Sequence, residues 1–198
     1  MFAASAPPVA TLQTAYSDPD LFVLRWHRES TPYSLVAFLA LALTALSGTL
    51  TYGAVLALGQ SPQRILESAL LNSAAATIAW AAPLPALYIL GSLSGMRARV
   101  STVFLASLTT AAWGGMALLA MSPIAAVFAV AYPTNKTLAL FIHAISLIFT
   151  AASMACIFGR IVDRIEPGQG GGRVWWLFLF VLLKVQLMSS FGILRFTE

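Results

Sequence analysis

Five apolar runs, each long enough to cross a bilayer, occupy most of this chain: residues 33–58, 68–92, 100–121, 136–158 and 174–192. An α-helix rises about 1.5 Å per residue, so about 20 apolar residues cover the hydrocarbon core. Acyl chains cannot hydrogen-bond backbone amides, so such a run must satisfy its own N–H and C=O groups as a helix. The spacing therefore predicts an all-α fold: a polytopic transmembrane helix bundle with five spans and no soluble domain. Outside the membrane domain (33–192) stand an N-terminal cytoplasmic or interfacial arm (1–32), four short connections and a short tail (193–198).

Charge supports this solvent. Only 9% of the residues are Asp, Glu, Lys or Arg, against about 25% in a soluble domain. The net charge of +4 does not point to nucleic acid, because no basic cluster is interleaved with aromatic residues. The basic residues stand beside span ends, where they act as topology signals and as contacts to anionic head groups. Arg25, Arg28, Arg97, Arg99, Arg160, Arg164 and Arg173 fall on one side, and Arg64, Lys136 and Arg195 on the other. Positive residues gather in the cytoplasm, so the N-terminus is expected inside and the C-terminus outside, in a bacterial inner membrane. The first charge is Asp18, and Pro7, Pro8 and Pro19 interrupt the region. No basic start leads into an apolar stretch, so the first span is expected to be retained rather than cleaved as a signal peptide.

The arm is read as a proline-bearing coil that becomes a short helix over residues 21–28. Trp26 and Arg28 suit either a helix lying at head-group depth or a docking site for a partner protein. In the spans, small and polar residues recur at helical spacing: Thr44, Ser47, Gly48 and Thr51; Ser107, Thr110 and Gly114; His143, Ser146, Thr150 and Ser153. Such stripes let helix backbones approach in lipid; a solute path is the competing reading. Pro83 and Pro85 should release the carbonyls of Ala79 and Ala81 from the helix ladder. Residues 122–132, bounded by Pro123 and Pro133, are too short to cross alone. They form either an interfacial or re-entrant segment or a continuation of the third span. Residues 159–166 read as a short amphipathic turn, and 168–172 as a flexible glycine linker without the Lys-Ser/Thr of a phosphate-binding loop.

Lys184 is the most unusual residue, ten positions into the last span, where a cation is costly and points to function by default. No carboxylate of this chain lies at its depth. It is neutral, bonded to carbonyls freed in the second span with Gln186 or Ser189 assisting, or paired with another chain or a lipid. His143 reads as a hydrogen-bonded structural residue. His27 is expected on the opposite side of the membrane, so the two cannot sandwich one haem. With a single cysteine, Cys156, read as a packed apolar residue, no cofactor or metal site is expected. No Ser–His–Asp arrangement supports hydrolysis, and no catalytic residue is assigned.

The second span carries Pro85-Ala86-Leu87-Tyr88-Ile89-Leu90 ahead of the small-residue turn Gly91–Gly95. The last ends in Gln186-Leu187 and Leu194-Arg195-Phe196. With the arm and five runs, this order resembles the Yip-like (Yip-domain) membrane proteins, particularly uncharacterised bacterial members, over about residues 30–196. The resemblance implies a five-helix membrane fold and no catalytic residues; the family's eukaryotic members are trafficking adaptors that contact small GTPases. The functional expectation is a non-catalytic structural or accessory subunit. Its partners would be membrane lipids and other integral membrane subunits, or further copies of itself. The alternative is a component of a small-solute, ion or proton transporter with Lys184 in the pathway.

Overall fold

The computed structural model describes residues 8–29, 35–93, 97–132 and 135–167. These residues are helical apart from short connections, with no strand among them. The elements are α1 (Pro8–Ser17), α2 (Pro19–Glu29), α3 (Leu35–Leu56), α4 (Pro62–Ala81), α5 (Pro83–Leu93), α6 (Val100–Ala131) and α7 (Lys136–Ile165). The expected fifth span, 174–192, lies outside the described residues.

Local chemistry sets the helix boundaries. Pro8, Pro19, Pro62 and Pro83 each open a helix, where the missing N–H would be unsatisfied anyway and the fixed φ already suits the first turn. Side chains cap three starts: Asp18 accepts from the Leu21 N–H at 3.3 Å, Ser61 from Arg64 at 3.4 Å and Asn135 from Leu138 at 3.0 Å. Gly59, at φ 87°, makes the turn after α3, a left-handed conformation that costs glycine little.

Three helices, α3, α6 and α7, are long and apolar enough to cross a membrane. They correspond to the first, third and fourth expected runs, but two go further. Pro123 lies inside α6, which continues to Ala131. Residues 122–131 are therefore a continuation of the third span, not a separate interfacial segment. One proline removes one ladder bond, and the surrounding apolar residues keep the helix intact. Likewise α7 runs two turns past Phe158, because Ile161 and Ile165 extend its inward face while Arg160 and Arg164 stay outward. The expected short turn at 159–166 is helix almost throughout.

The second run behaves differently. Helix α4 starts six residues early, at Pro62, and ends at Ala81. Ala82 still donates to the Ile78 carbonyl at 2.8 Å, and Pro83 then begins α5. Neither piece is long and apolar enough to count as a span. The first carries Gln63, Arg64 and Glu67 at its start, and the second is only 11 residues, about half the hydrocarbon thickness.

The core sits between α3 and α6, which lie side by side with Gly48 against Gly115. Both helices start at the same end, so α4 and α5 return the chain between them. Thr49 meets Ser73 and Gly53 meets Ala69, which makes α4 antiparallel to α3. Helix α7 packs on α6. The arm, expected to begin as coil, forms α1 and α2. Both fold onto the bundle, with Ala15, Phe22 and Val23 buried.

Candidate functional site: a buried polar seam and a charged end

Two polar regions stand out. One is a seam between α3, α4 and α7 in the half of the bundle away from the arm. The Thr49 hydroxyl bonds the Ser73 hydroxyl at 2.9 Å, Asn72 donates from Nδ2 to the Thr49 carbonyl at 2.8 Å, and Ser68 donates to the Gly53 carbonyl at 2.7 Å. A Cβ on Gly53 would fall 2.8 Å from the Ser68 carbonyl. The missing side chain is what brings α4 close enough for these bonds. From α3, Tyr52 reaches His143 on α7: its hydroxyl lies 3.2 Å from Nδ1 and the rings stack with centroids 5.8 Å apart. Both side chains are buried.

In lipid, these groups have no water to fall back on, so pairing across helices fixes register. Most remaining hydroxyls turn back onto their own helix. Thr110 donates to the Ala106 carbonyl and Thr150 to that of Ser146, both at 2.8 Å. Four buried side-chain atoms remain without a partner among the described residues: Trp80 Nε1, Trp113 Nε1 and Thr109 Oγ1 in the spans, and Glu166 Oε2 at the end of α7. Trp80 packs over Gly114, and Thr109 and Trp113 share one face of α6 at i, i+4 spacing.

The second region is the end where α3 and α6 begin and α7 finishes. Arg164 donates to Asp20 at 2.7 Å, which ties α2 to α7. His27 Nδ1 lies 3.2 Å from the Thr102 hydroxyl, which ties α2 to α6. Tyr16 and Thr44 hydroxyls meet at 2.6 Å, and Trp26 sets its edge on Phe38 at 5.8 Å. Glu166 accepts from the Arg97 backbone N–H. Burial works to raise the pKa of Asp20, but its hydrogen bonds and the Arg164 and Arg160 guanidinium groups outweigh this and hold it below the ordinary value of 3.8.

The expected site residues separate into groups. Lys184 and Gln186 lie outside the described residues. His143 is hydrogen-bonded and stacked, and with Ser146 and Thr150 it lies on the buried face of α7. Pro83 opens α5, and Pro85 is exposed in its first turn. Trp26 and Arg28 share α2, the first half-buried and the second exposed. Its apolar face is occupied by the chain's own helices. His27 and His143 lie at opposite halves of the bundle. Among the described residues, no three His, Cys, Asp or Glu side chains gather so as to hold a metal ion. Cys156, expected to be packed, is exposed on α7. Of the first small-residue stripe, Thr44 and Gly48 face Gly115 on α6, whereas Ser47 and Thr51 are exposed.

Sequence reasoning passed over Tyr52, Asn72 and Asp20. An amide four residues into the second apolar run and a phenol late in the first were signals for Asn72 and Tyr52, since polar groups there need partners. Nothing local marks Asp20, whose partner lies 144 positions away. Compared with known proteins, the chain matches no family model, no curated protein and no solved structure, so function has to be argued from the geometry.

Proposed function

We propose that this chain is a non-catalytic integral membrane subunit that packs laterally with other membrane chains. The observation that carries the reading is how little of each span the bundle covers. Only 33% of the most apolar stretch of α3 and of α6, and 44% of that of α7, is buried. The inward polar groups are mostly used in seams, as in Thr49–Ser73 and Tyr52–His143, rather than arrayed along an open path. Outer faces this extensive are covered by lipid or by neighbouring helices. By its sequence the apolar run 174–192 would add a further crossing in this reading, and Lys184 within it would need an acceptor from another helix. The excess of arginine at the arm's end favours a cytoplasmic position for that end, by the positive-inside bias. The resemblance of the sequence to Yip-like proteins of bacterial type, read from its order of apolar runs, agrees with such a role.

A second reading, a component of a solute, ion or proton transporter, draws on the α4–α5 break at Ala82. Trp80, with its unpartnered indole N–H, lies two residues before it. Broken helices of this kind line binding sites in transporters.

Purification in mild detergent, followed by mass determination and identification of co-purifying chains, separates the two. A stable stoichiometric partner set is expected. A lone oligomer whose Lys184→Met variant folds but loses solute or proton flux would replace the first reading with the second.

A further inference from the structure

Contacts across the bundle set its helices on one ruler. Gly48 of α3 lies on Gly115 of α6, and Met154 of α7 packs over Gly114. Thr49 and Gly53 of α3 meet Ser73 and Ala69 of α4. Heights away from these contacts follow at about 1.5 Å per residue. Near the arm, Arg160, Asp163 and Arg164 are exposed on α7. At their height the outer face of α3 exposes Val36, Leu39 and Leu43. At the other end, Arg64 and Glu67 are exposed where α4 begins. At their height α6 exposes Ile124 and Val127, and α7 exposes Phe141 and Ile145. Each end therefore carries charge on one side of the bundle and bare apolar side chains on the other, and the sides are exchanged between the ends. The apolar belt runs obliquely, from Leu35 to Arg64 on the α3–α4 side and from Asn135 to Arg160 on the α7 side.

We propose that the bundle lies tilted in the bilayer, its helix axes about 25–30° from the normal, with acyl chains covering both apolar faces. Two separate lengths give this angle. The edges of the belt are displaced by about 9 Å between the α3 and α7 sides at either end, and the bundle is about 20 Å, or two helix diameters, across. That slope is an angle of about 25° on the same helix dimensions. The belt measures about 35 Å along the axes on both sides, longer than a hydrocarbon core of about 30 Å. A tilt of about 30° shortens it to that thickness. The match in length marks lipid, rather than a partner chain, as the cover. Upright, the bundle would set Arg160 or Arg64 among acyl chains, or lift Leu39 or Phe141 out of them, and either is unfavourable. The tilt rests on the reading of these helices as membrane spans and deepens it. A neighbouring subunit's helix standing along the normal would cross α3 or α7 at an angle common between packed membrane helices.

Nitroxide labels on the full chain in phosphatidylcholine vesicles test the tilt. In a Cys156→Ser background, one label at a time is attached through Leu39→Cys or Asp163→Cys, which are equal in height on opposite sides, and through Ile145→Cys or Glu67→Cys, a second such pair. Collision with oxygen, which concentrates among acyl chains, and with a water-soluble nickel chelate reads the depth of each label. Leu39 should lie about 8 Å deeper than Asp163, and Ile145 about 8 Å deeper than Glu67, by the tilt acting across the width of two helices. Leu43→Cys and Phe141→Cys read the same two faces if a substitution spoils folding. Equal depths within both pairs would mean an upright bundle and overturn the tilt. A label at Leu39 or Ile145 that neither reagent reaches would overturn lipid as the cover and put protein there. Ile148, midway along the exposed face of α7, should meet oxygen in either orientation. Nickel reaching Ile148→Cys would instead overturn the membrane reading beneath the proposal.

Discussion

Along the α3–α6 seam, contact is backbone on backbone. A Cβ at Gly48 would land on the Gly115 carbonyl, and one at Gly115 would lie 2.6 Å from that of Thr44. Where the arm meets the same bundle, the contact is made by large and charged side chains: Phe22 and Val23 buried, Asp20 on Arg164, His27 against Thr102. The difference follows from the solvent around each. Lipid gives apolar helices no hydrophobic reason to associate, so the seam gains by close approach and dispersion. At the end of the bundle water is near, and burying a phenylalanine releases it as in a soluble core. An ion pair then sets where the helix docks.

Substitutions should separate these two kinds of contact. Gly48→Leu has the largest expected effect, because the obstacle is backbone and cannot rotate away. Destabilisation of about 4 kcal/mol or more, or failure to assemble, is expected in thermal unfolding in detergent. A mild effect would mean that the seam is not the close contact described. Phe22→Ala should cost about 3 kcal/mol but act locally: the arm becomes open to protease while α3, α6 and α7 keep their helical signal. Unfolding of the whole bundle instead would erase the distinction between the regions.

Smaller effects sharpen the comparison. Asp20→Asn should loosen the arm by about 1–2 kcal/mol, since half of the Arg164 side chain is exposed and solvent screens the pair. The pH dependence has a definite sign. Because the folded Asp20 titrates below its ordinary value, its contribution is complete above about pH 4 and fades as pH falls through the lower folded value. Protease sensitivity of the arm should therefore be flat from pH 5 to 8 and rise only in stronger acid, as judged on the scale of carboxylate titration. A rise near pH 6 would assign the latch to another group. Tyr52→Phe removes one interhelical hydrogen bond and should cost about 1 kcal/mol. Arg64→Gln breaks only the exposed 4.0 Å pair with Glu67, and a change under about 0.5 kcal/mol is expected in the same unfolding assay.

Much of the helix framework was legible from composition and run length alone. Three expected spans recur as α3, α6 and α7 because apolar length in a medium without hydrogen-bond partners leaves little alternative to a helix. His143 was likewise readable as a bonded residue, since a lone buried imidazole must find a partner. Run length could not say how the second stretch is divided. Apolarity averages over residues 68–92, whereas Pro83 acts at a single peptide bond and the polar start of α4 belongs to the turn before it. Hydropathy also stopped two helices too early, at Pro123 and Gly159, where neighbouring contacts carry the helix across a locally weak residue.

Chemistry along the chain thus determined the solvent, the all-helical form and the bias of arginine toward one end, because each of these depends on what a stretch is made of. Partnership was decided only in three dimensions. Gly48 chose Gly115, Tyr52 chose His143 and Asp20 chose Arg164 because folding brought distant helices to the same depth. Nothing in a residue's own neighbours encodes that depth.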